Sequence, residues 1–153
     1  MSDVRLYNMC LIEDRRTNRV VALDKIHSPF AGITLPGGRI EEGEGVIASV
    51  VREVREETGL FVSDVRQSGI VDWINPQTGA RWLLFLTRTA VYSGELIGET
   101  HEGRVFWTDI DTFPTLPLSP NMDTFWRMYR NPEPTEALGL WQDEGLSRDF
   151  RFF

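Results

Sequence analysis

The chain has 153 residues, 41% of them hydrophobic and 25% charged, which suits one soluble globular domain over 1–153 with a single core. A net charge of −7 argues against an electrostatic grip on a nucleic-acid polymer or an anionic membrane, but not against a nucleotide whose phosphates share a bound cation. The lone cysteine, Cys10, excludes an internal disulfide and fits a reducing cytoplasm; no apolar run reaches transmembrane length, and the N-terminus lacks the basic-then-apolar layout of a signal peptide.

Val4 to Glu13 is rich in aliphatic residues and predicts a strand, with Cys10 a buried structural thiol in its apolar run from Tyr7 to Ile12. Asp14 to Asn18 makes a polar turn and Arg19 to Ile26 a second strand, so the two read as a hairpin. Ser28 to Gly32 forms a loop that delivers Ile33, Thr34 and Leu35 into the next segment, and His27 reads as a solvated residue before it. Lys25 and Arg39 flank that segment closely enough to contact phosphates, though a surface role is the simpler reading of both; Arg39 is kept as a substrate-binding candidate.

Leu35 to Leu60 is a Pro-Gly-Gly turn, an acidic loop and a helix from about Gly45 to Thr58. Gly37 and Gly38 permit a tight backbone path. Ile47, Val50, Val51 and Val54 recur at i, i+3, i+4 and i+7, the buried stripe of an amphipathic helix. Gly59 stands where a helix ends in a left-handed residue, with Leu60 folding back as the accompanying apolar contact. Glu53, Glu56 and Glu57 share a face roughly 120° from the centre of the valine stripe. Like charges at that spacing oppose a helix, and anions near its C-terminus oppose the dipole, so the pattern suggests a compensating cation. Hard carboxylate oxygens completed by substrate phosphates describe Mg²⁺ or Mn²⁺; the plainer reading is a solvated acidic face.

Gly38, Glu44, Arg52, Glu53, Val54, Glu56, Glu57, Gly59 and Leu60 fill every fixed position of G-x5-E-x7-R-E-U-x-E-E-x-G-U, where U is a bulky aliphatic residue. This stretch, 38–60, resembles the Nudix box, the metal-binding motif of the Nudix (MutT-type) hydrolases. The resemblance implies an α/β/α sandwich, with a mixed central sheet between two helices. It also implies that Glu53, Glu56, Glu57 and the carbonyl of Gly38 hold Mg²⁺, with Mn²⁺ an alternative. Arg52 and Glu44 would tie loop to helix. Glu56, or a glutamate from a later loop, would deprotonate the attacking water.

Val62 to Ile74 predicts a long strand, bulged around Gly69, and Asn75 to Gly79 a hairpin loop that accounts for Pro76 unaided. Arg81 to Tyr92 returns with two apolar faces, as a central strand buried on both sides would. Gly94 to Gly103 is an acidic loop, and Arg104 to Asp109 a final strand. In Nudix enzymes a glutamate from this region reaches the metal or the water. Glu102, beside the strand, is preferred to Glu99 as that catalytic residue, and His101 reads as a solvated neighbour. After a proline-punctuated connection, Met122, Phe125, Trp126 and Tyr129 mark a second amphipathic helix over Asn121 to Arg130, across the sheet from the first. The segment resembles that of MutT-type purine nucleotide hydrolases, in which an asparagine here bonds the base edge; Asn121 is equally a good N-cap. The tail, 131–153, carries Trp141 and an apolar end that must dock on the domain or on a partner subunit in a homodimer.

The function implied is Mg²⁺-dependent cleavage of a pyrophosphate bond in a small nucleotide, in first place a nucleoside triphosphate such as 8-oxo-dGTP. ADP-ribose or a nucleotide sugar is the second substrate class, and a non-catalytic nucleotide sensor the rival from a different class.

Overall fold

The computed structural model describes residues 2–142 and 145–153. In chain order the strands are β1 (Val4–Asp14), β2 (Arg19–Lys25), β3 (Gly32–Thr34) and β4 (Gly37–Arg39), followed by helix α1 (Val46–Thr58). Then come β5 (Phe61–Ser63), β6 (Arg66–Ile74), β7 (Arg81–Thr89), β8 (Val91–Ser93), β9 (Glu99–Thr100) and β10 (Gly103–Asp109). A short 3-10 turn leads to α2 (Met122–Arg130), and β11 (Glu136–Gln142) and β12 (Gly145–Phe152) complete the chain.

Side-chain alternation along the strands makes two apolar layers. Leu11, Val20, Ala22, Val71 and Leu86 face α2, meeting Met122, Phe125, Trp126 and Tyr129. Cys10, Ile12, Val21 and Leu23 face the other way, onto Val50 and Val54 of α1 and Leu60 beyond it. The result is the expected mixed sheet between two helices, with strand order β12-β11-β6-β7-β1-β2-β10-β9 and β4 also paired to β1. No helix among the described residues is long and apolar enough to cross a membrane.

β1 changes partner along its length, and this positions the glycine turn. Tyr7, Asn8 and Met9 pair with Arg39, Gly38 and Gly37 of β4, whereas Glu13 and Asp14 pair with β2. On the opposite edge β1 pairs parallel to β7 from Val4 to Ile12.

Several expectations need correction. The strand read as 62–74 is two, β5 and β6, because Asp64 takes a left-handed backbone (φ 49°) between them. β5 pairs instead with β8 in a separate ribbon, which also shortens the return strand to end at Thr89. The bulge does fall at Gly69. Arg104 to Asp109 is not the final strand, since the tail folds back as β11 and β12 and pairs parallel to β6. Phe150 and Trp141 dock edge-on or tilted against Trp73 and Trp82, at 5.9 and 5.4 Å between ring centres.

Candidate active site at the glycine turn and helix α1

Helix α1 ends as its sequence requires. Gly59 adopts φ 83° and donates to the Arg55 carbonyl, while the Thr58 hydroxyl donates to Val54 and accepts from Leu60 N–H. The buried stripe is narrower than read: Val50 and Val54 are fully buried, but Ile47 in the first turn is 40% exposed.

The carboxylates divide rather than share one face. Glu57 is separated from Val50 by seven steps of about 100°, leaving them only about 20° apart around the helix, and the packing of α1 on the sheet buries it with the valines. It is 8% exposed, and its Oε2 has no hydrogen-bond partner among the described residues. Burial pushes its pKa up to about 8; Lys25 and a backbone hydrogen bond from Gly37 oppose the rise, and Glu53 and Glu102 add to it. Glu57 therefore feels charges from β2, α1 and the loop before β10 at once.

Glu53 lies against Gly38, where an added Cβ would stand 2.5 Å from its carboxyl carbon. Arg52 holds Glu53 by Nη1 at 2.8 Å and Glu56 at 3.3 Å. The same guanidinium forks onto Glu44, Nε to Oε1 at 2.7 Å and Nη2 to Oε2 at 2.9 Å, and donates to the Arg39 carbonyl at 3.0 Å. Glu56 is otherwise open to solvent.

Glu102 is brought to this edge by backbone bonds. Ile97 N–H donates to Thr58, Val105 N–H to Gly98, and Ile26 N–H to the Glu102 carbonyl. Glu99 is exposed on β9, and His101 is an exposed neighbour of Glu102 at 3.9 Å. Arg39 enters through its carbonyl, with its side chain exposed. Asn121 stands at the N-cap position of α2, but with φ 66° and no side-chain cap hydrogen bond; its neighbour Met122 accepts from the Thr34 hydroxyl at 3.6 Å, on the strand entering the turn. Lys25 is the residue that sequence reasoning undervalued. Its charge reaches Glu57 from β2, where Lys25 follows Val21 and Leu23 on the face turned towards α1. A cavity of about 620 Å³ opens elsewhere, over Ile70, Asp72, Leu83 and Phe85 of β6 and β7, and no box residue lines it.

The sequence matches the NUDIX domain over residues 5–129. The chain belongs to the Nudix family. It is 34% identical over 88 residues to an uncharacterized Nudix hydrolase of Bacillus subtilis strain 168, a match covering 56% of each chain. It is 46% identical over 47 residues to an ADP-ribose pyrophosphatase of Methanocaldococcus jannaschii, covering 30% of this chain and 28% of that one. The match thus spans about half or less of the length of these curated relatives. A MutT protein from Bacillus halodurans shares the fold, with a TM-score of 0.77 and 23% identity over 97% of both chains.

The residues suit a divalent ion of the kind Nudix hydrolases use. The donors are all oxygen, Glu57 offers a buried oxygen with no partner among the described residues, and the bare Gly38 lets the Glu53 carboxylate lie against the turn. They do not form a closed cage: among the described residues no three carboxylates, imidazoles or thiolates converge on one point.

Proposed function

We propose that this chain is a Mg²⁺-dependent pyrophosphohydrolase of nucleoside triphosphates, converting a substrate such as 8-oxo-dGTP and water to the monophosphate and pyrophosphate. The observation that carries it is Glu57, a buried carboxylate with an unpartnered oxygen beside Glu53, Glu102 and Lys25. Glu53, Glu57 and the Gly38 carbonyl would hold Mg²⁺ or Mn²⁺, with Glu56 joining as Arg52 releases it. Such an ion neutralises charge on phosphoryl oxygens and acidifies bound water. Glu102, at the solvent edge, would accept the proton of the attacking water, with Glu56 the alternative once Arg52 releases it. Arg52 and Glu44 keep the loop and helix together. Asn121 would meet the base edge, with Arg39 beside the phosphates.

The ADP-ribose pyrophosphatase among the relatives supports a second reading, hydrolysis of ADP-ribose to AMP and ribose 5-phosphate. One panel separates them: product release from dNTPs, 8-oxo-dGTP, ADP-ribose and dinucleoside polyphosphates, with and without Mg²⁺. Metal-dependent pyrophosphate release, fastest on 8-oxo-dGTP, is the expected result. Preference for ADP-ribose replaces the first reading by the second. Metal binding without turnover on any substrate makes the chain a sensor.

A further inference from the structure

Asn8 lies against both halves of the box. Its backbone borders the glycine turn: Asn8 pairs with Gly38, and a Cβ on Gly37 would strike the Asn8 carbonyl. Its side chain reaches the helix, where Nδ2 donates to Ser49 Oγ at 2.9 Å. Ser49 Oγ donates onward to the Val46 carbonyl at 2.6 Å. With its one proton directed at Val46, the hydroxyl can only accept from Asn8, which assigns the nitrogen end of the amide to the helix.

Asn8 is 2% exposed and Ser49 fully buried, and Asn8 Oδ1 has no hydrogen-bond partner among the described residues. An apolar pair would serve stability at least as well here, because a buried acceptor without a donor is costly. What an apolar pair lacks is direction: hydrophobic contact tolerates sliding, while a hydrogen bond fixes distance and angle. Ser49 stands one turn before Glu53 and two before Glu57. Glu53 presses so closely on Gly38 that a small rotation or slide of α1 would part them.

We propose that Asn8 and Ser49 are positioning residues, and that the bond between them registers α1 against the glycine turn so that Glu53 and Glu57 stand where a divalent ion is held. This rests on the metal-site reading above. Neither residue occupies a fixed position of the box.

The test is direct Mn²⁺ binding, by electron paramagnetic resonance and calorimetry, to the wild type, Asn8→Ala, Ser49→Ala and the double variant. Val62→Ala, a truncation in the same apolar layer, is the control for lost stability. The two single variants are expected to bind Mn²⁺ about tenfold more weakly. The double variant should be no weaker than the singles, since both remove one bond. Val62→Ala should bind like the wild type despite a lower unfolding midpoint. Ser49→Ala keeps the test available if Asn8→Ala does not fold, alanine being the better helix former. Wild-type affinity in a folded Ser49→Ala overturns the inference and leaves the metal site standing, as does equal weakening in Val62→Ala. A wild type that binds no Mn²⁺ overturns both.

Discussion

Arg52 clasps Glu44 across eight residues of chain, with two parallel hydrogen bonds of 2.7 and 2.9 Å. The flat guanidinium matches the carboxylate in a way lysine cannot, so Arg52→Lys keeps the charge and loses the fork. Turnover should fall roughly tenfold to a hundredfold as loop and carboxylates lose alignment, with the fold retained. The Arg52 side-chain hydrogen bond, then the Glu41 N–H, hold Glu44 down from 4.5 to about 2. A depressed carboxylate contributes stability that is present above its unfolded value and lost as pH falls through its folded one. Glu44→Gln should therefore be less stable than the wild type at neutral pH, with the gap closing between pH 4.5 and 2. Chemical denaturation across that window measures it, and a constant gap would remove the clasp as its cause.

The two turn glycines should respond differently to the same change. A Cβ on Gly37 meets backbone, the Asn8 carbonyl and Met9 Cα, in a ladder that cannot yield. At Gly38 it meets the end of the Glu53 side chain, which can swing away. Gly37→Ala is expected to lower the unfolding midpoint sharply. Gly38→Ala should melt near the wild type yet lose most metal-dependent turnover, because Glu53 is displaced. Comparable melting losses in both variants would contradict this difference.

What was legible in the sequence was local. The period of Val50 and Val54, the left-handed Gly59 and the box spacing all act within a few turns of chain, and α1 formed as read. Glu57 shows where local reading stops. Helical pitch alone places it between the valine stripe and Glu53, and only the packing of α1 on β1 and β4 decides that it goes inward. Asp64 interrupts a run of strand-like residues through its own backbone conformation, which the apolar pattern does not encode. Glu102 and the docked tail depend on pairings between β2 and β10 and between β6 and β11, distant in sequence.

Cys10 gives an independent check on the core. Burial pushes its thiol up to about 12, and it is wholly enclosed on the α1 side of the sheet. A thiolate is the reactive species, so a thiol reagent at pH 8 should modify Cys10 only when the protein opens. The labelling rate should rise with denaturant in step with unfolding. Rapid labelling of the native protein would show that β1 is accessible.

Glu57 should set function against stability. Its raised folded pKa means that the native carboxyl holds its proton more tightly than the unfolded one. Metal-free stability is thus full below pH 4.5 and declines as pH rises through about 8. Divalent metal should restore it, by giving the ionised oxygen a partner. Glu57→Gln removes the ionisation, so in chelator above pH 8 the variant should melt higher than the wild type, while the two converge near pH 4.5. Its turnover should nonetheless drop by at least about a hundredfold, since a neutral amide neither binds the ion well nor carries the charge. Melting curves against pH, with and without Mg²⁺, set beside the rate measure both effects. A variant less stable than the wild type in chelator at high pH would mean that Glu57 is solvated rather than held for a cation.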